Sequence, residues 1–160
     1  QAFVFPRPML HSGNLNFSFS GLKTSVLVRI EKLKKQQIWN EQSKRDVAAS
    51  FQAAVTDTLY AKCLQAINYY PSRQLIVAGG VSANLVLRTK LTELQQKRDI
   101  IVRFPEMGLC TDNAAMIAAA GIEQMSLREP DDMAMSARPR MPLDMQSKAM
   151  LGSGKKGAKA

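Results

Sequence analysis

Two short stretches hold the residue types that could meet a ligand. In "LIVAGGVSANLVLR", Leu75 to Arg88, an apolar run ends at Gly79-Gly80 and then turns polar. A strand that ends in Gly-Gly and leads into a helix puts a ligand at the carboxyl edge of a sheet. Glycine lacks a Cβ, so the backbone there can approach a nucleotide without a steric clash. A helix N-terminus behind Ser82 adds unpaired N–H groups and a positive dipole end. Asn84, in the first turn, could reach a ribose or a base edge. The same residues also describe an ordinary strand-to-helix turn capped by Ser82, and the pattern leaves both readings open.

The second stretch is "CTDNAAMIA", Cys110 to Ala118. Thr111 or Asp112 caps the helix that follows, or Asp112 offers a carboxylate oxygen to a metal. A complete site needs several further ligands, and His11 is the only histidine of the chain. Cys110 reads as packing. Other chemistries lack their motifs. There is no GxSxG nucleophile turn and no Walker loop. "SGLKTS" lacks the first glycine of a phosphate loop, so Lys23 reads as a solvated helix residue or a phosphate contact.

The elements that must carry these stretches alternate. "FVFPRPML" is an extended leading segment, and the alternation in "NFSFSG" predicts a short strand around Phe17 to Phe19, ending at Gly21. Leu22, Val26, Ile30 and Leu33 follow at helical spacing. A long helix is expected from about Lys44 to Tyr70, where Val47, Phe51, Val55, Leu59, Cys63 and Ile67 recur every four residues as one apolar stripe. "QLIVAGG" and "DIIVRF" read as buried strands, with a helix from Ser82 to about Lys97 between them. A further helix is expected over Thr111 to Met125, and "SARPRMPL" reads as an extended strap. Strands alternating with helices indicate an α/β architecture with a partly parallel sheet.

Composition sets the outer bounds. The 160 residues are 46% apolar and 22% charged, ordinary for a globular domain. The formal net charge of +9 fits an anionic partner, nucleic acid above all. Part of the excess lies in "GSGKKGAKA", which reads as a disordered tail or an expression remnant. No apolar run approaches the ~18 residues of a membrane span, and no secretory h-region lies near Gln1. Cys63 and Cys110, far apart, suit a reducing cytosol, so a cytoplasmic protein without a membrane role is expected.

Three segments in series carry a resemblance: "FSFSGLKTS" (Phe17 to Ser25), "VAGGVSANLVLR" (Val77 to Arg88) and "CTDNAAMIAAAG" (Cys110 to Gly121). In order and spacing the chain resembles the tRNA N6-threonylcarbamoyladenosine transferases of the TsaD type, over almost all its length before the tail. The resemblance implies the C-terminal lobe of an actin/Hsp70-like ATPase fold, with residues 1–145 as the C-terminal part of the family's domain and 146–160 as a disordered basic tail. It implies transfer of threonylcarbamate from threonylcarbamoyl-AMP to N6 of adenosine 37 in tRNAs that read codons starting with A. It carries nucleotide contacts over to Gly79, Gly80 and Asn84. It makes Asp112 one ligand of a divalent metal, iron or zinc, whose two histidines belong to an HxxxH motif this chain lacks. TsaB-like and TsaE-like proteins and tRNA are the implied partners, with Arg138 and Arg140 as candidate phosphate contacts.

Three other outcomes are distinguishable. A sugar kinase or Hsp70-like ATPase would use the same Gly-Gly turn for ATP but gives Asp112 no role beside two histidines. A metallopeptidase would need an activated water, and no general base near Asp112 can be named. A truncated lobe would only bind partners, and the isolated chain is expected to be incomplete and inactive.

Overall fold

The computed structural model describes residues 2–130, 132 and 133. Six elements follow in order: α1 (Ser20–Lys35), α2 (Glu41–Tyr69), β1 (Gln74–Ile76), α3 (Leu85–Arg98), β2 (Ile101–Arg103) and α4 (Ala114–Leu127). Single 3-10 turns lie at Gly80–Ala83 and Met107–Leu109. The described residues fall into two units, one up to Ile117 and one from Ala118. The expected strap at 136–143, Arg138, Arg140, the boundary at 145 and the tail all lie outside the described residues.

The helix ends follow from local chemistry. Asn40 and Ser43 form a reciprocal cap at the start of α2: the Ser43 N–H donates to Asn40 Oδ1 at 2.9 Å, and the Asn40 N–H donates to Ser43 Oγ at 2.8 Å. Such a cap satisfies two donors the helix would otherwise orphan. Pro71 follows the far end, where the residue before it is pushed to extended geometry; Tyr70 has φ -120 and ψ 91. Lys32, Lys34 and Lys35 close α1, and Lys97 and Arg98 close α3, each complementing the negative end of the dipole.

The 29 residues of α2 form a rod of about 43 Å that serves two cores. Val47, Phe51 and Val55 pack with Phe5, Leu22 and Leu33. Leu59, Cys63 and Ile67 pack instead with Leu87, Leu91, Leu94 and Ile100. The single stripe expected from the spacing therefore divides. A step of four residues overshoots one helical turn by about 40°. From Val47 to Ile67 the apolar line winds roughly 200° round the rod, and its two ends face different partners.

β1 and β2 pair in parallel, Leu75 opposite Val102, with α3 as the crossover. Leu75, Val77, Val102 and Phe104 line one face, against the second core. On the other face Ile76 and Ile101 are exposed, so among the described residues both strands are covered on one face only and are not the buried strands expected. This is an α/β arrangement, as expected. The strand expected at Phe17 to Phe19 does not form. Those residues are irregular, and Gly21 lies inside α1 instead of ending a strand. A period-two pattern says only that alternate side chains differ in environment. Phe19 does pack on the first core while Phe17 stays exposed, but among the described residues no neighbouring strand pairs with this segment.

The leading segment is pinned to α2 and, through it, to α3. Asp57 on α2 receives Arg7 Nε at 3.0 Å and forms ion pairs with both Arg7 and Lys90. Partial burial pushes the Asp57 carboxyl up, but the hydrogen bonds and charges of Lys90 and Arg7 outweigh it and hold the group below the usual carboxylate range. A folded value below the unfolded one of ~3.9 means the contribution is complete above about pH 4. It is lost as pH falls through the folded value. Asp57→Asn is expected to cost about 1 kcal/mol near neutral pH. Thermal melts of both proteins should begin to converge as the pH falls below about 4 and meet once it has passed the folded value, and a gap that stays constant throughout would contradict the assignment.

Candidate nucleotide-binding site

Because the two strands are parallel, the segments that leave them emerge at the same sheet edge. β1 runs into the Gly79–Asn84 turn, and β2 into the loop holding Cys110 and Asp112. The sequence-predicted site residues Gly79, Gly80, Asn84 and Asp112 all belong to the first unit.

The two glycines differ in what they require. Gly79 has φ 86 and ψ 171, a region that side chains with a Cβ scarcely enter. Gly80 does not have positive φ, and a Cβ built there would meet nothing within 4 Å. Gly79 is therefore explained by the turn itself. At Gly80 neither backbone conformation nor internal packing asks for glycine, so any obstruction by a side chain would fall on something outside the described residues. The turn is closed by Ser82 N–H to Gly79 O at 2.9 Å and Asn84 N–H to Val81 O at 3.0 Å.

The cap is Asn84, one residue before the helix and not within its first turn, and Ser82 is not the cap. Asn84 Oδ1 accepts from Leu87 N–H at 3.0 Å, and its Nδ2 donates to Gln52 Oε1 on α2 at 3.2 Å. Ser82 is buried inside the 3-10 turn, and its Oγ finds no partner among the described residues. An amide offers two N–H groups and two carbonyl lone pairs. Asn84 thus keeps one N–H and one lone pair for a ligand while holding the helix start.

The second loop reassigns a cap as well. Asn113 Oδ1 accepts from Met116 N–H at 2.9 Å, and its Nδ2 donates to Thr111 O at 2.9 Å. Asn113 directly precedes Ala114, the first residue of α4, and its short amide reaches the third N–H. Neither Thr111 nor Asp112 is needed for that task. The Asp112 carboxylate is exposed and makes no hydrogen bond among the described residues. Among those residues no group of three or more His, Cys, Asp or Glu side chains could hold a metal. Asp112 fits as a single free oxygen donor, and further ligands would have to come from elsewhere.

Arg88 joins the two loops and was not legible as a functional residue. Its Nε donates to Ser82 O at 2.6 Å, and its Nη2 donates to Pro105 O at 2.7 Å and Cys110 Sγ at 3.2 Å. The guanidinium also lies 4.7 Å from the centre of the Phe104 ring. One signal was available. An arginine one turn into a helix opposes the positive end of the dipole, which asks what else holds it there.

The remaining candidates are quiet. Cys110 is buried, as packing predicts. Cys63 is a free thiol whose burial pushes its pKa up, away from nucleophilic character. His11 is exposed without a hydrogen bond among the described residues, and Lys23 is an exposed residue of α1.

A glycine turn and a bare carboxylate at one edge of a parallel sheet stand where open α/β folds take up ligands, and that arrangement defines the unit as an α/β domain with a candidate site. Residues 1–119 match the model of the TsaD family, tRNA N6-adenosine threonylcarbamoyltransferase, and the chain belongs to that family. It is 47% identical to the tRNA N6-adenosine threonylcarbamoyltransferase of Roseobacter denitrificans, over 99% of this chain and 45% of that protein. The proteins of the same name from Paracoccus denitrificans and Bordetella avium are 46% and 45% identical, over 99% and 88% of this chain. The chain spans less than half the length of these relatives, 45% and 42% of the latter two.

The glycine pair gives a direct test. Gly79→Ala is expected to destabilise the protein by about 1–3 kcal/mol. Gly80→Ala should leave stability unchanged or raise it by about 0.5 kcal/mol. Urea unfolding midpoints of the two variants check this, and equal losses would contradict the distinction.

Proposed function

We propose that the protein carrying this chain transfers the threonylcarbamoyl group from threonylcarbamoyl-AMP to N6 of adenosine 37 in tRNA. The observation that carries this reading is the family match, whose residues 1–119 run through both the glycine turn and Asp112. The chain then forms the C-terminal lobe of an actin/Hsp70-like ATPase fold, residues 1–145, followed by a basic tail. Gly79, Gly80 and Asn84 face the adenosine end of the substrate. Bare backbone at Gly80 and the spare N–H and lone pair of Asn84 support that role.

The reaction is an acyl transfer at a mixed carbamoyl–phosphate anhydride. The N6 lone pair forms a C–N bond to the carbonyl carbon, the bond from that carbon to the phosphate oxygen breaks, and AMP leaves with the electron pair. The amine gives up a proton. The glycine turn holds the adenosine end through this exchange, so that the carbonyl stays in place for attack. Asp112 would be this chain's ligand to a divalent metal, iron or zinc. Such an ion, when bound, supplies Lewis acidity at the carbonyl. The positive balance of +9 favours docking of a tRNA backbone, a contact that weakens steeply with salt. TsaB-like and TsaE-like partners and a cytoplasmic setting belong to the same reading. No helix among the described residues is long and apolar enough to cross a membrane.

The test joins this chain to the N-terminal part of the Roseobacter denitrificans relative and measures threonylcarbamate incorporation into tRNA. Gly80→Val should raise the KM for threonylcarbamoyl-AMP at least roughly tenfold, and Asp112→Ala should lower both transfer and metal retention by roughly 100-fold. The isolated 160-residue chain should neither retain stoichiometric metal nor turn over. Phosphoryl transfer from ATP without threonine incorporation would establish the kinase-like reading instead. Peptide cleavage surviving full purification would establish the peptidase.

A further inference from the structure

We propose that Arg88 is a positioning residue that sets the spacing between the Gly79–Ala83 turn and the loop carrying Asp112. The inference rests on the transferase reading and adds to it a group that touches no substrate. Three directed bonds leave one guanidinium: Nε to Ser82 O at 2.6 Å, and Nη2 to Pro105 O at 2.7 Å and Cys110 Sγ at 3.2 Å. Ser82 lies in the turn, and Cys110 lies two residues before Asp112. The Phe104 ring, 4.7 Å away, backs the guanidinium. A planar fork of fixed donors transmits distance between its acceptors, whereas an ammonium on a flexible stem does not.

Each loop also has a shape of its own. The turn keeps its two internal backbone bonds and the Asn84 cap, and the second loop keeps Leu109 N–H to Glu106 O at 2.9 Å. Loss of Arg88 therefore leaves both loops formed but frees the distance between them. In the proposed reaction that distance is the span from the adenosine end of the substrate to the Asp112 loop. Adenosine binding depends on one loop alone and should survive. Alignment of the reacting carbonyl depends on both and should not, and misplacement by about 1 Å can cost roughly 100-fold in rate.

Arg88→Lys and Arg88→Met, made in this chain joined to the N-terminal part of the Roseobacter denitrificans relative, test the idea with two readouts. The expected kinetic result is a fall in kcat of roughly 10- to 100-fold, with the KM for threonylcarbamoyl-AMP and the Kd for AMP within about threefold, and no rescue by lysine. The expected physical result is faster amide exchange across 107–113, while peptides from α2 are unchanged. An unaltered kcat well below the melting temperature would overturn the proposal even if stability falls, since a merely structural arginine behaves that way. A rise in KM at constant kcat would also overturn it. An unmutated protein that transfers nothing to tRNA would sink the transferase reading. Arg88 is then judged on exchange alone, and unchanged exchange across 107–113 would overturn its tie.

Discussion

The first unit is organised by the phase of one helix. Because apolar residues recur every four positions along α2 and the helix repeats every 3.6, its sticky line is a slow spiral. Val47 and Phe51 look toward α1 and the leading segment, while Leu59 and Ile67 look toward α3 and the sheet. The two cores thus share a wall. α3 is seated against that wall by Leu87, Leu91 and Leu94. Asn84 at its start therefore has a fixed place from which to reach Gln52 on α2, and the glycine turn inherits its position from helix packing.

That hierarchy accounts for what could be read from the residues. The long helix and the crossover were legible because burial imposes a period on side chains, and the two strands because short branched apolar runs stand out between polar breaks. The division of the α2 stripe was implicit in the same spacing once the angular drift is counted. No strand forms at Phe17 to Phe19, because alternation reports environment but not pairing. Strand pairing needs a neighbour, and none among the described residues supplies one.

The site was legible in part. "GGVSAN" and "CTDNAAM" pointed to the loops at the sheet edge, and both lie there. Their internal roles were harder to assign. Ser82, Asn84, Thr111, Asp112 and Asn113 are all good capping types, and only the position of the first helical residue chooses among them. With Asn84 and Asn113 as the caps, Asp112 has no capping task. Arg88 is silent in the sequence for a different reason. Two of its three acceptors are backbone carbonyls, which every residue possesses and no pattern displays.

The bare backbone of Gly80 also bears on engineering. Replacing glycine by alanine where the conformation permits is a standard route to a more heat-resistant protein, because it trims the freedom of the unfolded chain. By that criterion Gly80 ranks among the first positions to change, and Gly79 among the last. A programme guided only by melting temperature would accept a methyl group at a place where the proposed substrate needs none. On the proposed reading the protein would gain robustness and lose its grip on the nucleotide, and no measurement of folding would register the loss.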